Sequence, residues 1–299
     1  MWFLFPVVLV TVGLEIFYQT TETNYSFKTK QITAEYKDAE ILLFGNSHAF
    51  YGLDPTYFSK RTFNIANISQ SLYFDELLFE KHQPNLPNLK AVVFTISYFS
   101  LSQEDNTSED TWRKYFYHQQ MDLDVPIISE FDMRNYSLAL ARRFNKSVAL
   151  VDTFFREGTI VSCYPNGYGM QDEKDMVESK EAITPIIVKK HEDGLTDFST
   201  NQARLERIIK KCKEENIKVF LVEMPVFKNY YEALNPKKVT KIVETLSALE
   251  ASHENVFYYN FSQDPYFQEE DLRDADHLTN EGAKKCSVLL NSKVEEKLR

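Results

Sequence analysis

Glu40-Ile41-Leu42-Leu43-Phe44-Gly45-Asn46-Ser47-His48 is the stretch on which the fold is decided. Ile41 to Phe44 is a short, unbroken apolar run closed by a glycine. It reads as a parallel strand buried on both faces, because a half-exposed strand would alternate apolar and polar residues. Outward from it, Thr62 to Ile65 reads as a weaker strand, Phe74 to His82 as a helix and Ala91 to Ile96 as a β-branched, fully buried strand. Further on, a helix from Asn201 to about Asn216, capped by Thr200, leads into the strand Val219–Val222. A helix over Lys237–Ser252, a strand over Val256–Tyr259 and a terminal helix capped by Thr279 complete the series. Strands alternating with helices over short connections predict an α/β fold, a mostly parallel sheet in a three-layer α/β/α sandwich.

The alternation breaks once, between the third and fourth strands. Residues from about 100 to 198 are expected to form an insertion with an acidic loop, the aromatics Trp112, Tyr115, Phe116 and Tyr117, a helix near Met133–Phe144, and the turn Asn166-Gly167. Insertions on a parallel sheet commonly build the substrate side of a site.

The N-terminus carries the one long apolar run, Trp2 to Tyr18. It reads as a transmembrane or signal-anchor helix over residues 1–20, with Trp2 and Tyr18 at the interfaces and Glu15 as an anomaly within it. Residues 21–38 read as a polar stalk, leaving 39–299 as the functional domain.

Composition removes several classes of function. The 299 residues carry 34 Lys+Arg against 44 Asp+Glu, a net charge of −10, with the basic residues spread among glutamates, so nucleic acid is not an expected partner. Only 8 glycines are present, and neither a dinucleotide fingerprint nor a P-loop occurs. The three cysteines cannot form a disulfide framework, and Cys212 and Cys286 sit on apolar helical stripes as packing residues. No zinc-ligand spacing is present, so neither metal nor organic cofactor is expected.

Two short motifs carry chemistry. Ser47 directly follows a buried strand, at the carboxyl edge of the sheet where such folds bind ligands. Asp274-Ala275-Asp276-His277 precedes the last helix, with Asp274 spaced to fold back on the imidazole of His277 and fix its tautomer. Asp276 is expected to turn towards the terminal helix amides, and His191, within Lys189–Asp193, to sit in a solvated charged stretch.

Together the motifs resemble the SGNH (GDSL-like) hydrolase superfamily. Gly45-Asn46-Ser47 matches its first block and Asp274 with His277 its last. Asn64 to Ser71 looks like its second block, with Ser69 in the place of the glycine whose backbone N–H faces the oxyanion. The third block departs from the pattern: Thr95-Ile96-Ser97-Tyr98 lacks the usual asparagine donor, leaving Ser97 or Tyr98 as substitute O–H donors. The resemblance implies a flavodoxin-like sheet, a catalytic triad of Ser47, His277 and Asp274, and an oxyanion hole from Ser47 and Ser69 with Ser97 or Tyr98. Asn46, His48, Asn166 and Gly167 are candidate substrate contacts. The order of parts is similar to membrane-anchored SGNH-like proteins of bacterial cell-envelope and polysaccharide loci. That implies a membrane-tethered, extracytoplasmic serine esterase or O-acyltransferase on acyl, notably acetyl, esters of an envelope glycan, with polysaccharide-assembly proteins as partners. An alternative on the same residues is a catalytically weak scaffold that binds glycan or an assembly partner.

Overall fold

The computed structural model describes residues 4–172 and 176–299. Five parallel strands, β1 (Ile41–Phe44), β2 (Thr62–Asn64), β3 (Ala91–Thr95), β4 (Lys218–Glu223) and β5 (Val256–Asn260), form one sheet in the order β2-β1-β3-β4-β5. Every residue of β1 and β3 is buried, so the centre of the sheet is covered on both faces. That is why these strands read as continuous apolar runs rather than alternating ones. Register aligns Phe44 with Phe94 and Phe94 with Leu221, which brings the carboxyl ends of the three central strands to one edge.

The connecting helices lie close to their expected places: α3 (Ser47–Gly52), α4 (Leu72–His82), α9 (Ser199–Glu214), α11 (Pro236–Ser252) and α12 (Asn280–Leu298). Thr279 caps α12, its Oγ1 accepting from the Gly282 N–H at 3.0 Å. Helix α9 begins at Ser199 without a side-chain cap, so Thr200 lies inside the helix instead of capping it. Cys163, Cys212 and Cys286 are all buried free thiols.

Three expectations change. The N-terminal helix α1 runs Leu4–Thr20, and no helix among the described residues is long and apolar enough to cross a membrane. Its C-terminal part is used in packing. Leu14 and Tyr18 are buried, the Tyr18 hydroxyl bonds Ser147 Oγ at 2.8 Å, and Glu15 accepts from Ser137 Oγ and the Ala139 N–H. The glutamate that looked anomalous in an apolar run therefore anchors the start of a short helix, α6 (Leu138–Ala141). Residues 5–10, at the other end of α1, are exposed. Trp2 lies outside the described residues.

The segment read as a stalk is not one. Asn24–Ala34 forms α2, and its Tyr25, Lys28 and Ile32 are buried. A period-3.6 spacing of only three buried side chains in a polar helix is easy to miss in sequence. Finally, the helix expected near Met133–Phe144 is broken into a 3-10 turn at Met133–Asn135, the short α6, and α7 (Phe144–Glu157). The insertion aromatics serve the core: Tyr115, Phe116 and Tyr117 on α5 (Asp110–Met121) are buried, with Tyr117 stacked on Phe74 at 4.0 Å.

Candidate active site

The site is assembled where β1 ends. Gly45 has φ +127°, and a Cβ there would fall 2.1 Å from Thr95 Oγ1, so the turn out of the sheet admits only glycine. Its N–H donates to Asp75 Oδ1 at 3.1 Å. Asn46 then caps α3, with Oδ1 accepting from the His48 N–H at 3.0 Å, and Ser47 becomes the first helical residue.

From the other side, the loop before α12 delivers the imidazole. Asp274 Oδ1 accepts the backbone N–H groups of Asp276 and His277 at 2.9 and 2.8 Å. This folds the loop so that His277 Nδ1 meets Asp274 Oδ1 and Oδ2 at 3.1 and 3.0 Å. Nε2 of His277 lies 2.8 Å from Ser47 Oγ. The structure thus brings Ser47, His277 and Asp274 into one hydrogen-bonded series of hydroxyl, imidazole and carboxylate, an arrangement that can activate a hydroxyl.

Asp276 does not turn to the helix amides. It is buried, its Oδ2 lies 2.9 Å from His48 Nε2, and its Oδ1 stands 3.2 Å from His277 Nδ1, an ionic contact not aligned as a hydrogen bond. A carboxylate in that position needs partners, and two imidazoles supply them. His48 Nδ1 in turn meets Ser97 Oγ at 2.9 Å, and Asn46 Nδ2 donates to Ser97 Oγ at 2.8 Å. These partners select one tautomer of His48, with Nε2–H donating to Asp276 and Nδ1 accepting from the Ser97 hydroxyl. Asn46 and His48 are therefore parts of a buried scaffold behind Ser47, not substrate contacts.

The same geometry reassigns the third-block donors. Ser97 is occupied by Asn46 and His48. The Tyr98 hydroxyl donates to Glu192 and accepts from the Asn235 N–H at 3.3 Å, under the Lys238 ammonium. Neither hydroxyl is free to serve an oxyanion. Ser69 has φ +55°, the left-handed backbone that favours glycine. Neither the Ser47 nor the Ser69 N–H donates to a backbone acceptor among the described residues, so both amides are open. Asn166 and Gly167 lie elsewhere. The Asn166 carbonyl accepts from the Asn64 N–H at 2.9 Å, and Gly167 packs on the Asn64 backbone at φ +86°.

Three members of the site carried no motif. His191 is buried, not solvated: its Nδ1 is 2.9 Å from the Tyr230 hydroxyl and 3.8 Å from Asp276 Oδ2. Asp75 joins the turn after β1 to the loop after β2, since it also accepts from Gln70 Nε2 at 2.6 Å. Lys28 on α2 donates to the carbonyls of Asn64 and Ala66 and lies 4.6 Å from the Phe50 ring centre, bracing the strand that leads to Ser69. Only a polar residue inside a buried helical stripe could have marked Lys28.

Electrostatics follow from the two carboxylates. Burial alone would depress His277, but Asp276 and Asp274 outweigh it and push its pKa up to about 9. Burial likewise opposes ionisation of Asp274, and the His277 hydrogen bond overcomes it, holding that carboxyl low. His191, with burial dominant, is pushed down to about 4 and stays neutral. His48, Asp276 and His277 each present one ligand atom within 4.8 Å of one another, the set that could approach a metal ion. Each already has a partner in the network, which suits orientation of imidazoles better than ligation.

No protein-family model matches the sequence, and no curated protein matches it. Among solved structures the chain is similar to a GDSL-like lipase from Bacteroides thetaiotaomicron, at 12% identity and a TM-score of 0.44, over 92% of this chain and 99% of that one. It is also similar to TesA, at 10% identity and a TM-score of 0.40, over 87% and 99% of the two chains.

Proposed function

We propose that this protein is a serine ester hydrolase or O-acyltransferase acting on acyl, notably acetyl, esters of a cell-envelope glycan. The observation that carries the reading is the 2.8 Å contact between Ser47 Oγ and His277 Nε2, with His277 Nδ1 held by Asp274. Ser47 Oγ attacks the acyl carbonyl carbon while its proton passes to His277 Nε2. The N–H groups of Ser47 and Ser69 receive the developing oxyanion. The ester C–O bond then breaks, and His277 returns the proton to the departing sugar oxygen. Water or a second sugar hydroxyl, deprotonated by His277, then attacks the acyl carbonyl carbon; the bond to Ser47 Oγ breaks and His277 returns the proton to that oxygen. Asp274 and Asp276 stabilise the imidazolium in both halves.

Attachment to a membrane, with the domain on the extracytoplasmic side, belongs to the same proposal. Its support is the free end of α1: Phe5 to Val10 are all exposed, covering more than one full turn, so apolar surface faces every direction. A protein groove would match one stripe, whereas an acyl-chain surface matches a helix apolar all round. Polysaccharide-assembly proteins are the partners this placement suits.

A second reading, a weakly catalytic binding scaffold, has its own observation: the hydroxyls of Ser97 and Tyr98 are both committed, leaving no third-strand oxyanion donor. Losing one such donor costs roughly 10²–10³ in rate. Labelling of the full chain with a fluorophosphonate separates the two. Covalent labelling lost in Ser47→Ala supports the enzyme; no labelling at pH 9 supports the scaffold.

A further inference from the structure

Beside the catalytic residues, not over them, lies a cleft of about 510 Å³. Its walls come from four segments: Tyr36 after α2, the turn after α3 with Asp54 and Tyr57, the insertion turn with Tyr164, Asn166 and Tyr168, and the start of α12 with Asn280. The walls are fixed before any ligand arrives. Asn166 Nδ2 donates to Asp54 Oδ1 and Thr56 Oγ1 at 3.2 and 3.1 Å, and Asn166 Oδ1 accepts from the Tyr168 N–H at 3.0 Å. The rings of Tyr164 and Tyr168 are parallel to within 9°, and the Tyr168 hydroxyl donates to Asn280 Oδ1 at 3.0 Å. Tyr164 remains 48% exposed, so an aromatic face is open to an incoming ring.

The lining defines a ligand chemistry. Phenol rings offer flat apolar faces, while amide and carboxylate oxygens offer acceptors for hydroxyl protons. Pro165 is the single aliphatic side chain of the lining, so a lipid chain finds no slot. Asp54 and Glu281 line it and no lysine or arginine does, which disfavours an anion. The nearby cations are already placed over tyrosine rings, Arg61 on Tyr36 and Lys284 on Tyr57. The cleft also communicates with the catalytic loop. Gln171 Nε2 donates to the Tyr168 hydroxyl and to the Tyr51 carbonyl at 3.0 and 2.8 Å, and the Tyr51 ring stands edge-on to His277 at 6.2 Å.

We infer that this cleft is a saccharide subsite for an uncharged oligosaccharide, stacking on Tyr164 and bonding through Asp54 and Asn280. Its part in catalysis, holding the glycan remote from the ester, rests on the reading of Ser47 above; the binding itself does not. The test is isothermal titration of the full chain carrying Ser47→Ala with chitotetraose, cellotetraose and tetragalacturonate. At least one neutral tetrasaccharide should bind at one site per chain, and adding Tyr164→Ala should weaken it at least about tenfold. Tetragalacturonate should not bind. Circular dichroism melts establish that the variant is folded, and Tyr57→Ala provides a second wall residue. Absence of heat with both neutral sugars at millimolar concentration overturns the inference. So does binding unmoved by either tyrosine variant, or preference for tetragalacturonate. Fluorophosphonate labelling of the unmutated chain reads the Ser47 chemistry separately, so failure of one does not imitate failure of the other.

Discussion

One carboxylate, Asp276, serves two imidazoles: its Oδ2 lies 2.9 Å from His48 Nε2 while its Oδ1 stands 3.2 Å from His277 Nδ1. Asp274 holds His277 by hydrogen bonds and Asp276 holds it chiefly by charge. Their removal therefore has different consequences. Asp274→Asn is expected to lower kcat/KM for a nitrophenyl ester by about 10²–10⁴-fold, through loss of the tautomer and of orientation. Asp276→Asn is expected to lower it by a smaller factor and to move the acidic limb of the pH profile downward, because a neighbouring negative charge is gone. Profiles of the two variants between pH 6 and 10 check this; identical profiles would remove the division of labour.

The unmutated protein should be an alkaline enzyme. Neutral imidazole is the form that takes the Ser47 proton, and the two carboxylates favour the imidazolium up to about pH 9. The rate of Ser47 acylation should rise about tenfold per pH unit below that value and level off above it. A profile already flat from pH 7 upward contradicts the arrangement.

Asp75 sets a stability dependence of the opposite kind to an ordinary carboxylate. Burial pushes its pKa up to about 7, against the hydrogen bonds from Gln70 and Gly45. Folding therefore favours the protonated form. The contribution is complete below about pH 4, the unfolded value, and is lost as pH rises through about 7. Asp75→Asn keeps an oxygen for both donors, and it should gain up to about 2–4 kcal/mol over the parent at pH 8 relative to pH 4. Urea unfolding at the two pH values measures it. Asp110 and Glu223, also pushed up by burial to about 7, leave a residual slope in the variant.

Lys28 is expected to matter although it lies far from Ser47 in sequence. Lys28→Met leaves the Asn64 and Ala66 carbonyls without their donor, a loss of about 2–4 kcal/mol for buried groups. The loosened strand should also slow fluorophosphonate labelling of Ser47 through misplacement of the Ser69 amide. Thermal unfolding and labelling rates, compared at a temperature where the variant is folded, separate the two effects.

At Gly167, φ +86° and a would-be Cβ 1.9 Å from the Asn64 carbonyl oxygen forbid a side chain. Gly167→Ala should destabilise the chain by more than about 1 kcal/mol, since left-handed strain and a backbone clash add. A lowered melting temperature is the expected outcome.

The parts of the molecule legible in sequence are those fixed by local chemistry. β1 and β3 announce themselves because both faces are buried, and Ser47, Asp274 and His277 because each closes or opens an element. Asp276 and His191 were illegible for a common reason: partners separated along the chain, 228 residues between Asp276 and His48 and 39 between His191 and Tyr230. A charged residue among charged neighbours, as His191 is in Lys189–Asp193, gives no sign that the fold will turn it inward. The helix over residues 24–34 was hidden because its buried face is set by Lys28, a residue type that normally marks solvent.

β2 is an edge strand, and such an edge offers unpaired amides to any neighbour, including another copy of the chain. Here the Asn166 carbonyl takes the Asn64 N–H, and Gly167 lies flush against that backbone. The long insertion thus acts as a guard against strand-to-strand self-association. Shortening it across residues 160–170 would bare the edge, and the resulting protein should be prone to β-aggregation even where its sheet is intact.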